Sequence, residues 1–138
     1  MEVNNSLYPN EAQMAGFGDG EQDGPIYMVN LLKFREQAQY ADGRETQLSG
    51  REAYGLYSAG VTQLLAEVGG SITFGAQVSR LTIGEVEELW DMVAIAMYPS
   101  RAAMFEMMSK PAMAEIAEHR QAGLVGQLNI ETVDAVGV

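Results

Sequence analysis

The chain predicts an α+β fold, a four-stranded antiparallel sheet with its helices on one face in the order β-α-β-β-α-β. Three observations carry that reading. Short apolar runs of strand composition alternate with two stretches of helical period. Gly and Pro punctuate each change. No repeat of solenoid length interrupts the order.

Residues 1–24 hold four Gly among Asn, Gln, Asp and Glu, and read as a flexible N-terminal leader, ordered only against a partner subunit if at all. Tyr8 and Phe17 are its candidate anchors. The first strand then runs from about Ile26 to Phe34, with apolar residues at both parities, as in a strand covered on both faces. Asp42-Gly43 signals a turn. Ser49 followed by Glu52 forms a capping-box pattern, and Tyr54, Tyr57, Val61, Leu64, Leu65 and Val68 make one helical stripe that Gly69-Gly70 ends.

Ile72, Phe74, Ala76 and Val78 alternate with Thr73, Gly75, Gln77 and Ser79, the pattern of a strand with one greasier face. The next strand is expected from Leu89 to Tyr98, after a connection longer than a tight hairpin. Pro99 closes it and Ser100 caps a helix containing "RAAMFEMMS". Pro111 starts a further helical piece that Gly123 terminates, and "LVGQLNIETV" supplies the last strand. Residues 25–138 thus form a single domain on the ferredoxin-like split-βαβ plan. Trp90, Met92, Ala94 and Ala96 share one face of the third strand, and Val93, Ile95 and Met97 the other. A monomer leaves one apolar face bare, so an identical sheet should cover it, giving a homodimer.

Eight Lys and Arg stand against nineteen Asp and Glu, a formal net charge of −11. That surface repels phosphate backbones and anionic lipids, so no nucleic-acid and no membrane partner is expected. No apolar run reaches the ~20 residues of a spanning helix. "MEVNNSLYPNEAQ" lacks the basic start and apolar stretch of a secretory signal, so the expected location is cytoplasmic. Absence of Cys excludes a disulfide scaffold, a thiolate zinc site and a thiol nucleophile. With one His, soft ligands are too few, and neither metal nor other cofactor is expected. Hydrolase, nucleotide and dinucleotide motifs are missing.

The segments "MVNLLKF", "YADGR", "SGREAYGLY", "EELWDMVAIAMYPSRAAMFEMM" and "HRQAGL" resemble the bacterial proteins grouped as DUF1330, in register from residue 25 to about 132. That group is similar to the dimeric α+β barrel superfamily, which houses small monooxygenases, muconolactone isomerases and dye-decolourising peroxidases. The resemblance implies a fold, a dimer and a ligand cleft between the sheet and its own helices. It implies no particular reaction, and the leader lies outside it.

Candidate site residues follow from polar groups beside apolar faces. His119, the one histidine, is either a ligand-facing acid or base, or a cap of its helix C-terminus. Arg120 is either a surface cap or a fork for a substrate carboxylate. Asn30 and Lys33 differ by three, so a regular strand sends them to opposite faces. Asn30, flanked by Val29 and Leu31, is the better pocket candidate, while Lys33 either lines a pocket or pairs with an acid such as Asp91. Tyr54 and Tyr57 lie on the core stripe with hydroxyls that need partners. Trp90 and Tyr98 bracket Ala94 and Ala96, which leaves room for a cavity or for a packed dimer face. The Met-rich segment "MFEMMSKPAM" reads as plastic helix core rather than a cofactor box.

Two classes of function fit. One is a cofactor-independent enzyme moving a proton on a small organic acid or ring compound. There His119 and Asn30 would be catalytic, with Arg120, Tyr54, Tyr57, Trp90, Tyr98 and Lys33 binding substrate. The other is a non-catalytic ligand-binding or structural homodimer.

Overall fold

Ser49 Oγ accepts from Glu52 N at 3.0 Å while Glu52 Oε1 accepts from Ser49 N at 2.9 Å. This reciprocal cap starts α2, Gly50–Glu67. A computed structural model describes residues 2–18 and 23–136. Around α2 stand strands β1 (Ile26–Phe34), β2 (Ser71–Gln77), β3 (Met92–Tyr98) and β4 (Leu124–Thr132), and helices α1 (Glu11–Gly16), α3 (Arg101–Met108) and α4 (Pro111–Gly123). The sheet order is β2-β3-β1-β4 with every neighbour antiparallel, the ferredoxin-like arrangement. Pro111 breaks the second helical stretch into α3 and α4, because a ring at that position suits a first helical turn and no interior one.

All three long helices lie on one face. Ile26 and Met28 of β1 meet Ala96 and Tyr98 of β3, Val61, Leu64 and Leu65 of α2, and Met104 and Met107 of α3. On the opposite face Tyr27, Val29, Leu31, Val93, Ile95, Met97 and Leu128 are only half-buried. Phe74 and Ile130 are 51 % and 47 % exposed there. No helix among the described residues is long and apolar enough to cross a membrane.

Two strand expectations are corrected. The register of β2 on β3 shifts between Ile72 and Phe74, so Ile72 pairs with Ala96 on the helix side while Phe74 pairs with Ile95 on the other. A bulge resets parity, and the alternation from Ile72 to Ala76 therefore does not mark one face. Second, β3 begins at Met92 rather than Leu89. Asp91 N donates to Leu32 O at 2.8 Å, and its Oδ2 accepts from Phe34 N at 2.8 Å. The carboxylate takes the acceptor position a strand carbonyl would hold, so Trp90 leaves the row of Ala94, Ala96 and Tyr98.

Residues 2–18, expected as flexible, make defined contacts within the chain. Ser6 and Gln127 exchange backbone hydrogen bonds of 3.1 and 2.8 Å. Asn10 and Gln13 form a capping box at α1, and Phe17 packs edge-on to Phe105 with centroids 5.6 Å apart.

Where α2 begins, α4 ends. A Cβ on Gly50 would lie 2.1 Å from Arg35 O, and one on Gly123 would lie 2.5 Å from Gly50 O and 2.9 Å from Tyr54 N. Gly55, one turn on, has nothing within 4 Å of its Cβ position. Opposite signs follow for one substitution type. Gly123→Ala should lower stability by about 1–3 kcal/mol, and Gly55→Ala should raise it by about 0.5–1 kcal/mol. Denaturant midpoints of the two variants check this, and a harmless Gly123→Ala contradicts the packing.

At the far edge, Arg101 grips Glu131 through Nε at 2.9 Å and Nη2 at 2.7 Å. Hydrogen bonds from Arg101 hold the Glu131 carboxyl below its ordinary range. A lowered folded-state pKa contributes stability above the unfolded value, and that stability is lost as pH falls through the folded one. Glu131→Gln should therefore cost about 1–2 kcal/mol at pH 7 and progressively less in acid. A penalty unchanged at low pH contradicts the assignment.

Candidate functional site

The helix-side rows of β1 and β3 pair Ile26 with Tyr98, Met28 with Ala96, Asn30 with Ala94 and Leu32 with Met92. Among them Tyr98 carries the one hydroxyl and Asn30 the one amide. Its Nδ2 donates to Met28 O and Ala94 O, both at 3.2 Å. Its Oδ1 accepts from Gln127 Nε2 at 3.0 Å and from Asn129 Nδ2. Two donors and two acceptor positions are thus filled, and the amide has no capacity left for a ligand. What it does is hold Gln127.

Gln127 Oε1 in turn accepts from Arg120, at 3.2 Å from Nε and 2.9 Å from Nη2. Nη2 also donates to Leu7 O at 2.7 Å, and the Tyr8 ring centroid lies 5.8 Å from Cζ. Arg120 sits in the last turn of α4. No carboxylate pairs with it among the described residues, and its Nη1 has no protein acceptor there. The guanidinium is held along its Nε–Nη2 edge, while the Nη1–Nη2 edge is only half used.

From α2, Tyr54 and Tyr57 face the same region, their rings 5.4 Å apart, and Tyr54 also touches Phe34 at 5.4 Å. Burial pushes the hydroxyls of Tyr54, Tyr57 and Tyr98 above the ordinary tyrosine pKa, while the Arg120 charge pulls the first two back. All three stay protonated at neutral pH. None of the three hydroxyls makes a hydrogen bond among the described residues, and none is sealed from water, since the sole sealed unpaired side-chain atom there is Arg35 Nε. Ala94 and Ala96 precede Tyr98 in the helix-side row of β3, and Tyr98 is buried at 7 % exposure. Tyr54 and Tyr57 thus lie close enough to Arg120 to feel its charge, and Tyr98 close enough to feel Tyr57, with no carboxylate on Arg120 and no hydrogen bond to the three hydroxyls among the described residues.

The remaining expected site residues stand elsewhere. His119 Nδ1 and Tyr40 Oη are 2.7 Å apart with the rings edge-on, and His119 Nε2 is 3.8 Å from Glu118. It shares no hydrogen bond or ring contact with Asn30, Tyr54, Tyr57, Trp90 or Tyr98. Tyr40 belongs to a polar hollow of about 400 Å³ lined by residues 37–40 and 43–47. Its cation, Arg44, is already held by Asp42 and Glu118, each at 2.8 Å. Lys33 points to the opposite sheet face and donates to Leu89 O at 3.0 Å, with Glu88 at 3.2 Å and Asp91 at 3.5 Å. Burial lowers the pKa of Lys33, but Glu88 and Asp91 outweigh it and hold the ammonium above its usual value. Trp90 Nε1 donates to Asn5 Oδ1 at 2.7 Å. Among the described residues no three His, Asp or Glu come together as metal ligands do.

Gln127, Asn129 and Tyr40 were not among the expected site residues. A signal for the first two lies in "GQLNIET", where Gln127, Asn129 and Glu131 share one parity against Leu128 and Ile130. No local signal joins Tyr40 to His119.

No family model matches the chain, and no curated protein does. Among solved structures, the methylated RPA0582 protein is 35 % identical, with 97 % of this chain and 98 % of that one covered and a TM-score of 0.87. The same protein from Rhodopseudomonas palustris, described as of unknown function, matches at 32 % identity over 97 % and 100 %, with a TM-score of 0.86. That coverage takes in most of the leader as well as the sheet domain. Hydroxynitrile lyase from Passiflora edulis, 10 % identical with 84 % and 98 % covered and a TM-score of 0.54, shares the fold alone. At this identity over nearly the full length of both chains, the protein belongs to the family of the Rhodopseudomonas palustris RPA0582 protein.

Proposed function

We propose that the protein binds a small organic carboxylate in the cleft between its sheet and helices. Arg120 takes the carboxylate, and Tyr54, Tyr57 and Tyr98 hold the ring or the neutral oxygens of the remainder. One observation supports this: in a chain of net charge −11, three tyrosine hydroxyls without hydrogen bonds among the described residues lie near a guanidinium that no carboxylate there pairs. Asn30 is a positioning residue that acts through Gln127. Binding is favoured over proton transfer by His119, because Nδ1 of that residue is committed to Tyr40 and its other nitrogen faces Glu118. His119 then serves to fix the last turn of α4, and so Arg120.

The same reading makes the protein a cytoplasmic homodimer of the dimeric α+β barrel kind, related to the DUF1330 group by the segments quoted above. The support is the apolar sheet face that the helices leave half-exposed. Light scattering is expected to give twice the 15.0 kDa chain mass. Ile95→Glu, at the centre of that face, should yield a folded monomer, and a wild-type monomer at micromolar concentration rejects the dimer.

For the cleft, 4-hydroxybenzoate is a suitable probe, with a carboxylate for Arg120 and a phenol for the tyrosines. Calorimetry should show binding that Arg120→Gln weakens about 10- to 100-fold, the worth of a bidentate charge-assisted contact. The methyl ester should bind no better than that variant does the acid. Equal affinity for acid and ester, or for wild type and Arg120→Gln, overturns the reading.

A further inference from the structure

The segment Asn5–Tyr8 lies against the very group on which the proposed binding rests. Its anchors are separate in the sequence: Trp90 donates to Asn5 Oδ1 at 2.7 Å, Ser6 exchanges two backbone bonds with Gln127, and Leu7 packs against Leu32, Ala94 and Leu124. Gly126 makes room for it, since a Cβ there would lie 2.9 Å from Asn5 Cβ and 3.2 Å from Ser6 N. Leu7 O then accepts from Arg120 Nη2 at 2.7 Å.

Guanidinium geometry decides what this means. A planar fork offers two parallel N–H pairs, one along Nε–Nη2 and one along Nη1–Nη2. Gln127 Oε1 occupies the first pair through both nitrogens. The second N–H of Nη2 goes to Leu7 O, and Nη1 has no acceptor among the described residues. A carboxylate seeking a two-point contact needs the Nη1–Nη2 pair, and one half of it is held by the strap. Leu7 O occupies the position of one carboxylate oxygen.

We propose that residues 5–8 are an intramolecular competitor for the anion site, displaced from Arg120 when a carboxylate docks two-pronged on Nη1 and Nη2. The inference rests on the binding reading above and adds its regulation: ligand occupancy and strap attachment oppose one another. Because linkage is reciprocal, whatever loosens the strap strengthens binding, and whatever binds loosens the strap.

Two variants loosen the strap without touching the cleft. Asn5→Ala removes the Trp90 bond from an exposed residue, and Gly126→Ala pushes a methyl group into the strap backbone. Each should bind 4-hydroxybenzoate more tightly than wild type, by roughly 2- to 10-fold, the worth of one neutral hydrogen bond. In the wild-type protein the probe should speed amide hydrogen exchange at Ser6 and Gln127, whose N–H groups bond across the strap. Weaker binding in both variants would make residues 5–8 a wall of the site, and unchanged binding would make them a bystander. Either result overturns the competition and leaves the binding reading standing. No binding by wild type or either variant overturns both.

Discussion

The site depends on the backbone contact where Gly50 at the start of α2 meets Gly123 at the end of α4. Neither position tolerates a side chain without moving main chain. The contact is sealed by Arg35 N donating to Gly123 O at 2.8 Å, so the exit of β1 is fastened to the same point. Tyr54 stands one turn after Gly50, and Arg120 lies just under one turn before Gly123. The approach of α2 to α4 at this end is thus set by two glycines rather than by packing of flexible side chains. His119 adds a second fastening through Tyr40, which is buried at 8 % exposure beside Ala53 and Ala122.

Electrostatics completes what geometry begins. Four of the eight Lys and Arg are paired with carboxylates: Lys33 with Glu88 and Asp91, Arg44 with Asp42 and Glu118, Arg101 with Glu131, Lys110 with Glu67 at 3.6 Å. Among the described residues Arg120 is tied only to neutral oxygens. A half-buried guanidinium with neutral partners keeps its attraction for an anion, whereas one already paired with a carboxylate has lost it. The chain Asn30–Gln127–Arg120 fixes the plane of the fork without neutralising it, as a carboxylate receptor requires.

Much of this was legible in residue patterns, because the signals involved are local. Period and punctuation place every sheet strand and long helix, and the Ser49–Glu52 box appears as its spacing predicts. The Lys33–Asp91 pair follows from a charged residue near a strand end. Signals fail where a distant group decides. The bulge at Thr73 turns Phe74 to the bare face, and the carboxylate of Asp91 ends β3 early, releasing Trp90. Tyr40 and His119 are 79 residues apart and find each other only in three dimensions. The leader is polar in composition, yet Asn5, Ser6 and Leu7 each meet a specific partner that no periodicity announces.

Membership in the family of the RPA0582 protein shows the scaffold, and the hydroxynitrile lyase shows that one sheet architecture hosts distant sequences. Function on such a scaffold lives in the side chains of the cleft. The most direct test is a crystal structure of the protein grown with 4-hydroxybenzoate. The account predicts its carboxylate oxygens about 3 Å from Arg120 Nη1 and Nη2, with the phenol among Tyr54, Tyr57 and Tyr98. A probe seated in the hollow at residues 37–47 or on the bare sheet face, with the cleft empty, would contradict it.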